Sequence, residues 1–141
     1  MIATQNVCWL EQSESDVPAE EQWLCPRERL CLSGLRFAKR RTDWRLGRWT
    51  AKLAVAFCLD LPTDTSSLAK LQIRAAASGA PEAFLHNERA AVTISLSHRS
   101  GIAMCVVADA PAALGCDLEL IEPRSASFVT DYFTLSEQEL I

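Results

Sequence analysis

No apolar run in this sequence reaches the roughly 18 residues that a membrane-spanning helix requires. The opening residues, Met-Ile-Ala-Thr-Gln-Asn-Val-Cys-Trp-Leu, lack both a basic stretch and a long apolar stretch, so they do not read as a secretory signal. No CxxC pair occurs among the six cysteines (Cys8, Cys25, Cys31, Cys58, Cys105 and Cys116), which sit mainly in apolar segments. That excludes a zinc site and a disulfide framework; the cysteines read as buried, reduced thiols, and the expected location is cytoplasmic. There is also no internal repeat and no low-complexity segment. What remains is ordinary globular composition: 141 residues, 49% of them hydrophobic, are enough for the core of one compact domain.

The net charge of −4 conceals a segregation. Nine of the 14 Lys/Arg residues lie between Arg27 and Lys52, against only Glu28 and Asp43. From Asp109 onward, seven acidic residues face the single Arg124. Such blocks suit an anionic ligand held beside a cation site, or they attract each other across the fold. Nucleic acid is not expected as a partner, because the total charge is negative and the helix aromatics, Trp49 and Phe57, read as core. No membrane contact is expected either.

Along the chain, residues 1–10 read as a first strand and Glu11–Gln22 as an acidic loop. Pro26 at a first helical position opens an expected helix from Arg27 to Lys39, interrupted in propensity at Gly34. The strongest helical pattern runs from about Thr42 to Leu59. Leu46, Trp49, Leu53 and Phe57 form its apolar face, Thr42 or Asp43 its cap, and Arg41, Arg45, Arg48 and Lys52 a neighbouring basic stripe. A strand is expected at Leu71–Ala75, and a turn at Ala77–Pro81. Strands Val92–Ser97 and Ile102–Ala108 form a hairpin around His98-Arg-Ser-Gly101. A short helix at Phe128–Phe133 precedes another that starts near Thr134 and is still in progress at Ile141.

Between them lies Ala112–Glu122, in which Leu114, Cys116, Leu118 and Leu120 alternate with Gly115, Asp117, Glu119 and Ile121. This is the period of a half-buried strand. Asp117 and Glu119 then project from one face, about 7 Å apart at ~3.3 Å of rise per residue. Two neighbouring carboxylates repel, so the segment is either an ordinary solvent-facing sheet edge or a site for a hard divalent cation. Glu137 has two readings as well: Thr134-Leu-Ser-Glu137 has capping-box spacing, and the same carboxylate could serve a metal or act as a base. Ser97 and His98 cannot form a nucleophile–base pair, because adjacent residues on an extended chain point to opposite sides.

Taken in order, Gly47-Arg48 and Lys52 on an Arg-rich helix, Ser97-His98-Arg-Ser-Gly101, Gly115-Cys-Asp117-Leu-Glu119 and Phe133-Thr-Leu-Ser-Glu137 form a series. It resembles the 4′-phosphopantetheinyl transferase superfamily, in particular its larger two-lobed type that activates peptide synthetases, siderophore systems and polyketide or fatty-acid carriers. The resemblance covers roughly Arg36 to Ile141. The smaller trimeric type fits less well, because its Asp-containing strand lies near the N-terminus. The resemblance implies an α+β fold with residues 1–111 as a coenzyme A-contacting lobe and residues 112–141 as the start of a metal-binding second lobe. It implies transfer of the phosphopantetheine arm of coenzyme A to a serine of an acyl or peptidyl carrier protein, with Mg²⁺ as cofactor. Asp117 and Glu119 match the metal-binding Gly-x-Asp-x-Glu motif. Glu137 matches the glutamate assigned to metal binding and to activating the carrier serine. Ser97 and His98 match a coenzyme A-contacting pair, and Arg40, Arg41 and Arg48 the region of its phosphate-contacting cations.

Two features depart from the pattern. Gly79-Ala80-Pro81 stands where Gly-Lys-Pro is common, and a Trp-x-x-Lys-Glu motif expected after Glu137 does not occur. The expectation is therefore a C-terminally truncated chain, inactive or nearly so alone, from a full-length protein that is a monomeric pseudo-dimer. The alternatives are a non-catalytic domain that binds coenzyme A or the carrier protein, and a plain interaction domain.

Overall fold

Residues 7–140 are described by a computed structural model, and their first element is a strand, β1 (Val7–Ser13). The strand expected within residues 1–10 thus begins at Val7, residues 1–6 lying outside the described range. Glu11–Ser13, expected to be loop, are paired in the sheet. Helix α1 (Pro26–Ser33) has Pro26 at its first position, and the Glu28 carboxylate accepts from the Cys25 amide at 3.1 Å in a reciprocal cap. It stops short of the expected Lys39, because Gly34, a poor helix former, caps it by donating to the carbonyls of Leu30 and Cys31.

Helix α2 (Ala38–Cys58) starts earlier than the expected Thr42. Asp43 does not cap it; its carboxylate pairs instead with Lys39 one turn back, at 2.9 Å. Leu46 and Leu53 are buried as the pattern requires, but Phe57 is 60% exposed and is not core. From Thr50 to Ala56 every residue of α2 is buried, Lys52 among them, so this half of the helix is enclosed on all sides. Asp64 caps α3 (Thr65–Lys70) by accepting from the Ser67 amide at 3.0 Å.

Strand β2 (Leu71–Ala75) has the expected bounds. It pairs with β3 (Pro81–Leu85), which in turn pairs with β4 (Glu88–Arg89), giving a small antiparallel sheet that the sequence pattern did not show. Pro81-Glu-Ala-Phe-Leu has no β-branched residue, and its partner strand supplies what local propensity does not. Strands β5 (Val92–Arg99) and β6 (Ile102–Asp109) form the expected hairpin. The anticipated four-residue loop narrows to Ser100-Gly101, whose φ values of 50° and 79° match a two-residue hairpin turn. His98 and Arg99 are strand residues opposite Ala103 and Ile102.

The second sheet has the order β1, β6, β5, all antiparallel. Its inner face, including Ile94, Cys105 and Val107, shares one core with Ala51, Leu53 and Val55 of α2 and with Trp23, Leu32, Leu68 and Ile73. Each fully buried large apolar side chain there contributes about 1.5–3 kcal/mol. A polar hub sits inside this core. The Lys52 ammonium is 2.5 Å from the Glu28 carboxylate and donates to the carbonyls of Trp23 and Leu68 at 2.8 and 3.0 Å. Glu28 also accepts from the Ile73 amide at 3.2 Å, so one ion pair joins α1, α2, α3 and β2. Lys52 therefore does not belong to the basic surface stripe read from the helix spacing.

The Ala112–Glu122 stretch forms no strand among the described residues. Beyond it come α4 (Ala126–Tyr132) and α5 (Leu135–Gln138); the latter ends with Glu139 as its cap, short of the continuation to Ile141 that was expected. All six cysteines are free, but only Cys25 and Cys105 are buried and Cys31 is exposed. None of the described helices is long and apolar enough to cross a membrane.

Candidate functional site

The N-terminal half of α2 and the end of β5 enclose a cleft of about 570 Å³, in the size range of small-ligand sites. Lys39, Arg40, Asp43, Trp44, Gly47 and Arg48 line it from the helix, Phe37 from the residue before it, and Leu96 and His98 from the strand, so three cations stand against the one carboxylate of Asp43. Positions 40, 44, 47 and 48 fall on one helical stripe by their spacing. Gly47 is buried in the floor, where an added Cβ would lie 3.2 Å from the Leu96 side chain, so glycine allows helix and strand to approach this closely.

The predicted basic stripe does not act as one unit. Arg48 stays in the cleft, its guanidinium over the Trp44 ring at 4.9 Å. Arg45 turns away and donates to the backbone carbonyls of Pro18 and Ala19. Arg40 lies exposed at the cleft wall, whereas Arg41 is half-buried and does not line the cleft. Burial pushes the Arg48 pKa down, opposed by the nearby Glu28 carboxylate and the thiols of Cys31 and Cys25. A guanidinium still stays protonated at any physiological pH. Among the described residues the Nε atoms of Arg45 and Arg48 are both buried without a hydrogen-bond partner. Of the two, Arg48 lines the cleft, and a guanidinium there suits an anion with acceptor oxygens.

Ser97 and His98 point to opposite sides of β5, as adjacent strand residues must. His98 enters the cleft, whereas the Ser97 hydroxyl accepts from the Leu118 amide at 3.0 Å and donates to the Asp117 carboxylate at 3.3 Å. The structure thus separates the pair: the histidine faces the cation-lined cleft and the serine holds the carboxylate segment.

That segment keeps its expected alternation only as far as Glu119; Leu120, expected on the half-buried face, is exposed because the hydroxyl contacts with β5 end at residue 118. Residues 112, 114, 116 and 118 are half-buried, while 113, 115, 117 and 119 are exposed. Asp117 and Glu119 project outward together, Glu119 lying 3.9 Å from Arg99. The segment is not a strand because its amides meet side-chain hydroxyls of β5 in place of a backbone ladder: Ala112 on Thr93, Cys116 on Ser95 and Leu118 on Ser97. Gly115 has nothing within 4 Å of an added Cβ, so packing does not require glycine there.

Glu137 takes the capping role. One oxygen accepts from both the Thr134 amide and the Thr134 hydroxyl at 2.7 Å, and these bonds hold its pKa below the ordinary value. Among the described residues no three carboxylate, histidine or cysteine side chains gather as a metal cluster. Asp117 and Glu119 alone offer two exposed hard-oxygen donors, which suits Mg²⁺, an ion commonly held by one or two carboxylates together with substrate phosphate and water.

The pattern reading missed Lys39 and Trp44 as cleft residues. The four-residue spacing of Trp44 and Arg48 lies inside the helix expected from Thr42 and is the available signal for their pairing, whereas Lys39 falls at the end of the preceding expected helix.

No family model and no curated relative matches this sequence. Solved structures do resemble it in fold. A holo-(acyl-carrier-protein) synthase from Bacillus anthracis in complex with CoA (3′,5′-ADP) superposes with a TM-score of 0.60 at 21% identity, over 73% of this chain and 93% of that one. The Helicobacter pylori enzyme in complex with coenzyme A gives 0.58 at 17% identity, over 74% and 100%. The Thermotoga maritima synthase gives 0.57 at 20% identity, over 91% of this chain and 74% of its own. The α+β fold of this chain is the fold of the holo-(acyl-carrier-protein) synthases.

Proposed function

We propose that this chain serves an Mg²⁺-dependent transfer of the 4′-phosphopantetheine arm of coenzyme A to a serine of an acyl or peptidyl carrier protein. The observation that carries the reading is the placement of two unlike subsites on either side of the end of β5. A cation-lined cleft holds Arg48 and His98, and an outward carboxylate pair, Asp117 and Glu119, is anchored through Ser97. Coenzyme A needs two such subsites, since its 3′-phosphate and its pyrophosphate are separate anionic centres. In this reading the Arg48 guanidinium meets a phosphate, with Arg40 and His98 beside it and Arg41 outside the cleft wall. Asp117 and Glu119 would hold Mg²⁺, which when bound neutralises the pyrophosphate and the departing adenosine 3′,5′-bisphosphate.

The carrier serine oxygen bonds to the phosphorus of the pantetheine phosphate, and the phosphoanhydride bond to the bisphosphate breaks. Glu137 is the base we assign to the serine proton. Its carboxylate is ionised at neutral pH but held by Thr134, so it must leave that cap to act. The 141-residue chain is accordingly expected to bind coenzyme A more readily than it transfers the arm. We place residues 1–111 as the coenzyme A lobe and residues 112–141 as the start of a metal-binding lobe of the larger, pseudo-dimeric type, because the Asp-x-Glu segment follows β6 in chain order.

Calorimetric titration with coenzyme A tests the site, and mass spectrometry of an apo carrier protein incubated with coenzyme A and Mg²⁺ tests the reaction. Salt-sensitive binding weakened by Arg48→Gln is expected. With a form extended through its natural reading frame, the carrier should gain the mass of the phosphopantetheine arm, and Asp117→Ala should abolish that gain. Absence of binding at millimolar coenzyme A sinks the reading. Binding without transfer in the extended form leaves the second reading, a non-catalytic coenzyme A-binding domain, which the exposed capping position of Glu137 favours.

A further inference from the structure

We propose that alternate hydroxyls of β5 form a ladder that sets the register of the carboxylate segment, making Ser95 and Ser97 positioning residues for Asp117 and Glu119. The inference rests on the reading of those two carboxylates as the divalent-cation pair.

Thr93, Ser95 and Ser97 share one face of β5, opposite to the face that meets α2. Their oxygens accept from the amides of Ala112, Cys116 and Leu118 at 3.4, 3.1 and 3.0 Å. The partner numbers rise together, so the segment runs parallel to β5. Between Thr93 and Ser95 the strand advances two residues while the segment advances four, so the chain bows out around Gly115. Between Ser95 and Ser97 the two advance in step, and that in-step stretch carries Asp117.

The ladder decides which side chains face outward. With the amides of 116 and 118 on the hydroxyls, Cys116 and Leu118 lie half-buried and Asp117 and Glu119 stand exposed. A slip of one residue reverses this and turns both carboxylates toward the sheet. A slip of two keeps the parity but moves Asp117 by about 7 Å, at ~3.3 Å per residue, away from the Ser97 hydroxyl that donates to it. A backbone ladder would hold register with one bond per position. Here the register rests on single hydroxyls, with further weak tethers from the Cys116 thiol to the Met104 carbonyl at 3.8 Å and from Glu119 to Arg99 at 3.9 Å. Ser97 is doubly engaged, accepting from an amide and donating to a carboxylate, so it acts on the cation pair through the segment.

The test uses the 141-residue chain, with Ser95→Ala and Ser97→Ala against the conservative Ser95→Thr and Ser97→Thr. Amide exchange followed by NMR reads the ladder directly. Protection at Cys116 and Leu118 is expected to fall about two- to tenfold in the matching alanine variant, the factor one neutral hydrogen bond is worth, and to persist in the threonine variant. Electron paramagnetic resonance of free Mn²⁺ reads the consequence. Ser95→Ala should weaken Mn²⁺ binding several-fold, Ser95→Thr should restore it, and Asp117→Asn should abolish it while the Cys116 amide stays protected. Unchanged protection in both alanine variants overturns the ladder. Mn²⁺ binding that is the same in wild type and Ser95→Ala overturns the positioning role alone. Absence of Mn²⁺ binding in the wild-type chain overturns the cation reading, and the positioning role with it.

Discussion

Lys52→Met gives the sharpest test of how this chain divides its cations between core and ligand. All three protons of the Lys52 ammonium are used inside the core: one toward Glu28 at 2.5 Å, one on the Trp23 carbonyl at 2.8 Å and one on the Leu68 carbonyl at 3.0 Å. Methionine keeps most of the stem volume but leaves a carboxylate 3% exposed with only the Cys25 and Ile73 amides, and two carbonyls without this donor. Removing one partner of a buried, hydrogen-bonded pair costs about 3–5 kcal/mol. A domain of this size has roughly 5–15 kcal/mol in total, so about a fifth of the stability or more should go. At about 3–4 °C per kcal/mol, the melting temperature should drop by roughly 10–20 °C. The assay is thermal and urea unfolding by circular dichroism on wild type, Lys52→Met, Glu28→Gln and the double variant. The double variant should cost less than the sum of the singles by about 1–3 kcal/mol, because the remaining buried charge has been removed as well. Coenzyme A affinity, measured where each variant is folded, should change little. If Lys52→Met melts like the wild type while coenzyme A binding is lost, Lys52 is a ligand cation and the hub assignment is wrong.

Three further outcomes follow from the same geometry. Arg48→Gln should weaken coenzyme A or adenosine 3′,5′-bisphosphate by roughly ten- to a hundredfold, the ~1.5–3 kcal/mol of a charge-assisted hydrogen bond, while the melting temperature falls only by the few degrees that losing the guanidinium's contact with the Trp44 ring, about 0.5–2 kcal/mol, would cost; unchanged affinity by calorimetry would remove Arg48 from the site. The hydroxyls of Ser67 and Ser66 and the Ser67 amide hold the Asp64 pKa at about 2, below its ordinary 3.8. Because the folded value is the lower one, the stabilisation of α3 is present above about pH 4 and lost as the pH falls toward 2. Ser67 amide protection should follow that window, and Asp64→Asn should flatten it. In native protein a disulfide reagent at pH 8 should label exposed Cys31 well before Cys105, whose thiol burial raises to about 12; labelling of Cys105 at a comparable rate would contradict the packing of β6.

Much of the architecture was legible because it rests on local rules. Pro26 at a helix start, the Leu71–Ala75 strand and the hairpin around Ser100-Gly101 all follow from backbone stereochemistry within a few residues. The small sheet of β2, β3 and β4 was not legible, since β3 is stabilised by its partner strand and not by its own composition. Part of the site was legible for the same reason. The alternation that sends Asp117 and Glu119 outward together, and the opposite directions of Ser97 and His98, are consequences of the two-residue period of extended chain.

The sequence by itself determined which residues share a face, because helical and extended periods are properties of the backbone alone. Only the tertiary structure decided what each face meets. Arg45, Arg48 and Lys52 look alike as a stripe on a helix. One binds loop carbonyls, one lines the cleft and one is sealed against Glu28, because elements distant in sequence close over α2 to different depths along its length. Glu137 likewise reads equally well as a cap or as a base until the fold is known, and in the fold Thr134 holds it. The outward alternation of the carboxylate segment was readable in its own residues, but its register depends on hydroxyls 19 to 21 positions earlier, which no local pattern connects to it.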